Sequence, residues 1–349
     1  MSQTSLSAKD VKVLRWTPQA AAFTAISGLV ITALVFGPLI FRPEVIDRLT
    51  TLFIYILLAS MWNAVAGYGG LVSIGQQAFL GLGAYALIRL SNAGVNVYVA
   101  LVLAVFVVGL LSIPIGQFML KLRGGEFAIG MWVLSELLYL LVTIDPTVQG
   151  ETGTSLIAMN SFSPAVRRAD NYWMALAFMV VLLCVLFFLL RGRIGASLQA
   201  VRDDETAAAS IGVNVFRTKH VLFFLSAVGC AAGGALWLAT SITFQPRAFF
   251  SPQWTAYMLF MTIVGGLGTF EGPIIGAIIF FIAETYFGAT GVVYLIGLGA
   301  LAIGFALGFP RGIWGAVEAR FSLRFIPIGY HLRFPRRKLG AKDLSQQSE

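Results

Sequence analysis

The chain has 349 residues, 58% of them hydrophobic and only 11% charged, with a formal net charge of +8. Soluble domains carry about 25% charged residues, and a soluble core could not hide this much apolar surface. An all-α polytopic membrane protein is the remaining class. A β-barrel is excluded because the apolar runs are continuous and do not alternate with period two. The positive charge does not point to nucleic acid. Eight of the 24 Lys and Arg fall from Arg311 onward, including Arg336, Arg337 and Lys338, and three precede the first apolar run. Such flanks mark cytoplasmic membrane faces, and no folded basic domain with stacking aromatics accompanies them. Cys184 and Cys230 both lie inside apolar runs, so neither a disulfide nor a metal site is expected.

Hydropathy taken in chain order predicts about ten transmembrane helices. They fall near Ala20–Phe41, Leu49–Ala66, Gly70–Leu90, Val97–Leu120, Phe127–Ile144, Tyr172–Leu190, His220–Ser241, Trp254–Gly268, Pro273–Gly288 and Val292–Gly308. The third, eighth and ninth are short or rich in glycine. With both termini cytoplasmic, 18 of the 24 Lys and Arg lie inside and 6 outside, which favours that orientation over its reverse. Residues 1–19 then form a cytoplasmic N-terminal segment, 20–308 the membrane domain and 309–349 a basic cytoplasmic tail. The first span is expected to be retained, because no small-residue cleavage site follows an early apolar core. The last ten residues, GAKDLSQQSE, have the composition of a disordered tail.

One cytoplasmic stretch between two spans, SLQAVRDDETAAASIGVN from Ser197 to Asn214, is charged and alanine-rich. Ile194, Leu198, Val201, Ala208, Ile211 and Val215 recur at helical spacing, with Arg202, Asp203, Asp204 and Thr206 off that stripe. Asp203 and Asp204 suit a helix start and Gly212 a helix stop. A single amphipathic helix over about 197–212 is expected. Ala207, Ala208 and Ala209 leave one side with little bulk. Three consecutive acids ending at Glu205 fit protein docking better than a membrane-surface anchor, which is normally basic.

Three blocks in order, Gly67 to Leu87 (GYGGLVSIGQQAFLGLGAYAL), Arg191 to Thr240, and Val264 to Ala277 (VGGLGTFEGPIIGA), resemble the branched-chain amino acid ABC importer permeases of the LivM type. KLRGGEFAIGMWVLSELL from Lys121 and FPRGIWG from Phe309 add to the likeness, which runs from Leu49 to Gly315. The resemblance implies an ABC-importer permease fold in a bacterial-type inner membrane. It also implies a homologous second permease, two ABC ATPase subunits and a periplasmic solute-binding protein as partners. The amphipathic segment then resembles the coupling helix that docks on the ATPase, with Asp203, Asp204, Glu205, Ala207, Ala208 and Gly212 as its contact residues. The family pattern Glu-Ala-Ala, three residues, Gly is interrupted here by Thr206 after Glu205. No cofactor is expected on this chain. A G-x-x-x-x-G-K-[ST] phosphate loop is missing, since Gly266, Gly268 and Gly272 are followed by Pro273, so ATP would be bound by the partner subunits.

The glycine runs Gly67–Gly75 and Gly265–Pro273 interrupt hydrophobic stretches. They read either as broken segments beside a transport path or as tight turns with close helix packing. Asn63, Ser73, Gln76 and Gln77 cluster around the first and are candidate path residues. Two carboxylates fall inside spans, where an ionised group costs at least about 2.5 kcal/mol unless it faces protein or water. Glu136 reads equally as a path residue or a buried structural group, and Glu284 as a structural group. Thr152-Gly153-Thr154 in the outer loop reads as a solvated turn, and Gly229, Ala231, Ala232, Gly233 and Gly234 as helix packing. The resemblance implies hydrophobic amino acids as the cargo, with which the small apolar path residues are compatible, and urea or short amides as solutes of related importers. An ion-coupled secondary transporter is the alternative, kept open by Glu136 and the glycine runs. A membrane enzyme is disfavoured, since His220 and His331 are the only histidines and no metal-ligand cluster exists.

Overall fold

The computed structural model describes residues 12–14, 18–309, 311–321 and 331–333. The expected disordered tail and the run Arg336, Arg337, Lys338 lie outside them. The chain divides into two compact units, Met1–Leu29 with Arg324–Glu349, and Val30–Leu323. In the first, β1 (Lys12–Leu14) pairs antiparallel with β4 (His331–Arg333), Val13 opposite Leu332. The second is almost entirely helical.

Helix α1 (Pro18–Val35) and the single turn α2 (Gly37–Ile40) lead into α3 (Pro43–Asn63), whose Pro43 occupies the first turn where its missing N–H costs nothing. There follow α4 (Gln77–Asn92), α5 (Val97–Met119), α6 (Gly124–Thr143) and α7 (Pro164–Arg191). Two short helices, α8 (Arg193–Asp203) and α9 (Glu205–Ser210), precede α10 (Val215–Ser241). The turn α11 (Pro246–Phe249), then α12 (Pro252–Gly265), α13 (Gly272–Phe287), α14 (Val292–Gly308) and α15 (Gly312–Phe321) complete the order.

Seven helical stretches among the described residues are long and apolar enough to cross a membrane. The first, third and eighth expected spans come out shorter than hydropathy indicated, the first ending at Val35. In the third and eighth, residues 69–76 are not helical, so α4 has only 16 residues, and α12 has 14. At 1.5 Å per residue these reach about 24 and 21 Å, less than the roughly 30 Å of bilayer hydrocarbon. Both are well covered by protein, which is where broken backbone is tolerated at membrane depth. Apolar side chains alone cannot distinguish a short buried helix from a full span, hence the discrepancy.

α3 and α10 form the centre, with most of their residues buried. Small residues make that contact close. A Cβ on Gly229 would collide with Met61, one on Gly233 with Leu58, and one on Gly234 with the Leu80 carbonyl of α4. Ser226 adds a hydrogen bond to the Met61 carbonyl at 2.8 Å. This is the helix packing expected of the small residues in α10.

The loop between α6 and α7, expected on the outer side, is not a plain solvated turn. Thr154 and Ser155 form β2, which pairs antiparallel with β3 (Thr243–Phe244) after α10. Backbone partners 88 and 90 positions away, Thr243 for Ser155 and Phe244 for Thr154, fix this loop and are invisible to local turn signals.

Candidate functional site

The last turn of α3 widens into a π-helix over Ala64–Tyr68. Such turns free carbonyls from the regular ladder and recur at functional sites. Beyond it the first glycine run is extended, with Leu71, Ser73 and Gly75 buried and Gly70, Val72 and Ile74 exposed. The Trp62 indole N–H holds it by donating to the Ser73 carbonyl at 3.0 Å.

The two glycine runs, some 200 residues apart in sequence, touch each other. Asn63 is the bracket. Its side-chain amide donates to the Thr269 carbonyl at 2.8 Å, and its oxygen accepts from the Gly268 N–H at 2.8 Å. Gly67 lies against the same backbone, so that a Cβ there would stand 2.6 Å from the Gly268 nitrogen. Gly268 itself has φ +75°, in the region that favours glycine. Both readings of the glycine runs therefore meet in one place: close packing, around a junction of broken segments.

The amphipathic segment reaches this junction. It is not one helix, as expected from the sequence, but two with an elbow at Asp204. That residue leaves helical geometry (φ −158°, ψ 114°), and its carboxylate accepts from the Thr206 and Ala207 N–H groups at 2.7 and 3.0 Å. These bonds hold its pKa below the ordinary carboxylate range. Periodicity missed the break because the apolar stripe continues across the elbow. Asp203 ends α8 and is exposed. Gly212 (φ +86°) closes α9 in a Schellman motif: Gly212 N–H bonds the Ala209 carbonyl, and Val213 N–H the Ala208 carbonyl, each at 3.0 Å. Ala207 and Ile211 face outward, whereas Ala208 is buried within the chain.

Two polar contacts tie the elbow inward. Arg202 donates to the Gly67 carbonyl at 2.7 Å. Glu205 pairs with Lys219, a buried cation in the second turn of α10. Neither Arg202 nor Lys219 carried a distinctive signal in sequence, where both read as ordinary cytoplasmic charges.

The remaining expected path residues separate. Ser73, Gln76 and Gln77 are all buried. Gln77 accepts from the Thr255 hydroxyl, joining the starts of α4 and α12. Gln76 meets no hydrogen-bond partner at either end of its amide. Glu136 is exposed on α6 among outward-facing Trp132, Val133, Leu137 and Leu140, so among the described residues no other helix of this chain covers that carboxylate. Glu284 is half-buried and lines a cavity with Tyr55, Trp237, Trp254, Tyr257 and Arg247.

The family model of the branched-chain amino acid transport system permease component matches residues 45–312, a stretch that contains Asn63, Gly67, Arg202 and Gly268. The chain belongs to this family. This permease is 26% identical over 306 residues to the high-affinity branched-chain amino acid transport system permease protein LivM of Salmonella typhimurium. The same figures hold for LivM of Escherichia coli K12, the alignments covering 80% of this permease and 72% of each relative. A solved inward-facing structure, described as an ABC transporter of metal-chelate type, aligns over 86% of this chain and 99% of its own, at 15% identity and a TM-score of 0.47. The permease is thus a multi-pass membrane protein of LivM type, as the ordered sequence blocks implied.

Proposed function

We propose that this permease is one translocating subunit of an ATP-driven importer of branched-chain or other hydrophobic amino acids, urea and short amides being the related solutes. It crosses a bacterial inner membrane ten times with both termini in the cytoplasm, beside a homologous second permease. Two ABC ATPases bind at the α8–α9 elbow, and a periplasmic binding protein delivers the solute at the opposite end. ATP is bound and hydrolysed by the ATPases, and this chain carries no cofactor. Residues 1–19 and 309–349 flank the permease domain on the cytoplasmic side.

The observation that carries this reading is the bond from Arg202 to Gly67. An exposed elbow that presents Asp203, Ala207 and Ile211 outward is mechanically joined to the meeting point of two broken segments. Packed interfaces switch between discrete arrangements and do not deform continuously, so a push on the elbow shifts the junction as a unit. Asp203, Asp204, Glu205, Ala207 and Gly212 serve the ATPase side through contact or through the shape of the elbow, and Ala208 serves it from within as the elbow's buried anchor. Asn63 holds the junction, Ser73 and Gln77 fasten the chain that leads from it into α4, and Gln76 there has an unused amide to offer water or solute. Glu136, an acid on an otherwise apolar outward face, needs water or a polar partner at membrane depth. The aqueous seam with the second permease supplies it.

The test is purification of the full chain from its native membrane with identification of the attached subunits, followed by uptake of labelled L-leucine in proteoliposomes. Uptake that requires ATP and the co-purified ATPase is the expected result. Accumulation by the chain alone on a proton or sodium gradient would overturn the proposal and establish the ion-coupled alternative.

A further inference from the structure

At the end of α10 far from the elbow, Trp237 and the connection into α12 line an open cavity of about 450 Å³. We infer that it binds a small zwitterion, whose ammonium group sits between Glu284 and the aromatic walls and whose anionic group meets Arg247. Ligand pockets span roughly 300–1,000 Å³, so the space admits a free α-amino acid or a lipid headgroup.

The walls are rings that brace one another. Trp237 lies stacked beside Tyr55 at 6.1 Å and edge-on to Trp254 at 4.9 Å. Trp254 packs edge-on to Tyr257 at 6.2 Å, and Tyr257 rests on Phe280 at 4.7 Å. Interfacial anchors are commonly Trp and Tyr, but an anchoring belt has no need of a carboxylate in its midst. Here Glu284 stands beside the Tyr55 hydroxyl, and among the described residues neither Glu284 nor Arg247 belongs to an ion pair. A half-buried acid framed by aromatic faces is the recognition chemistry of an organic ammonium, which gains both Coulomb attraction and cation–π contact. Arg247, exposed at the rim, offers a planar fork to carboxylate or phosphate. Two sources share this chemistry: a free amino acid, or the headgroup of phosphatidylethanolamine. The first source rests on the transport reading above, and the second does not.

The experiment uses the full chain with its co-purified subunits in nanodiscs of phosphatidylglycerol, with and without phosphatidylethanolamine. Labelled L-leucine binding and retention of phosphatidylethanolamine through delipidation are measured for wild type, Glu284→Gln, Arg247→Gln and Trp254→Leu. At least one probe should bind saturably, and Glu284→Gln should weaken it by about tenfold or more. N-acetyl-L-leucine, which lacks the ammonium group, should not compete. Trp254→Leu should weaken binding several-fold with charge unchanged, and stands in if Glu284→Gln fails to assemble. Leucine binding abolished by phosphatidylethanolamine would assign the cavity to lipid. The inference falls if assembled variants bind both probes as wild type does, if neither probe binds, or if N-acetyl-L-leucine competes as well as leucine. ATP-driven leucine uptake separates the two readings. Uptake without Glu284-dependent binding overturns the cavity alone, and Glu284-dependent lipid binding without uptake overturns the transport reading alone.

Discussion

The Arg202 guanidinium donates to the Gly67 carbonyl at 2.7 Å across 135 positions of sequence. The carbonyl belongs to the π-turn that ends α3, the guanidinium to the last turn of α8. A charged hydrogen bond of this kind contributes about 1.5–3 kcal/mol. Arg202→Ala should leave subunit assembly and ATP hydrolysis largely intact while lowering uptake per ATP by about tenfold or more. The ratio of the two rates in proteoliposomes checks it. A proportional fall in both would mean that Arg202 only holds the fold.

Gly67→Ala tests the contact between the broken segments themselves. The added methyl would meet the Asn63 side-chain oxygen and the Gly268 backbone, which are hydrogen-bonded to each other and would have to shift. Overpacking of this sort costs about 1–3 kcal/mol. Thermal unfolding in detergent should move down clearly for Gly67→Ala. Gly297→Ala, where nothing lies within 4 Å in the described structure, should leave it nearly unchanged.

Lys219 is 4% exposed, and Glu205 is its ion-pair partner. Breaking a fully buried pair from one side costs about 3–5 kcal/mol, and less here because the Glu205 side chain remains 40% exposed. Glu205→Gln should destabilise by about 1–3 kcal/mol, and Lys219→Met by less, since it removes the buried charge along with its partner's role. Chemical denaturation of the two single variants and the double variant would show the coupling as non-additivity.

Asp145, just beyond α6, accepts from the Thr147 hydroxyl at 2.6 Å, from the Tyr85 hydroxyl at 2.6 Å and from the Thr147 N–H at 3.0 Å. These bonds hold its pKa down to about 2, from the ordinary 3.8. A depressed carboxylate contributes stability that is complete above its unfolded pKa and vanishes as pH falls through the folded value. The stabilisation should therefore be constant above about pH 5 and drain away between there and about pH 2. Thr147→Val should shrink that acid-labile part, and Asp145→Asn should remove it, in unfolding measured across the same pH range.

Legibility in the sequence differed sharply between residues. The membrane class, the order of the helices and the positions of both glycine interruptions were readable, because lipid imposes long apolar runs and glycine marks where regular helix fails. Gly212 was readable as a helix stop, since its signal is local. Asp204 was readable as a helix start for the same reason, but the break that makes two helices there was not, because the stripe from Leu198 through Val201 to Ala208 carries across it. Glu136 and Glu284 both read as carboxylates inside spans, the first equally path or structural and the second structural, yet the first faces outward from α6 and the second lines an aromatic cavity.

What the sequence settled by itself was the family and the sites where helices break. Which side chains meet at those breaks, Asn63 with Gly268 and Arg202 with Gly67, was decided only by tertiary packing. The reason is physical. In a soluble helix the apolar face marks the core, but a helix in lipid is apolar on every side. Periodicity then no longer tells inside from outside, and only the packed structure does.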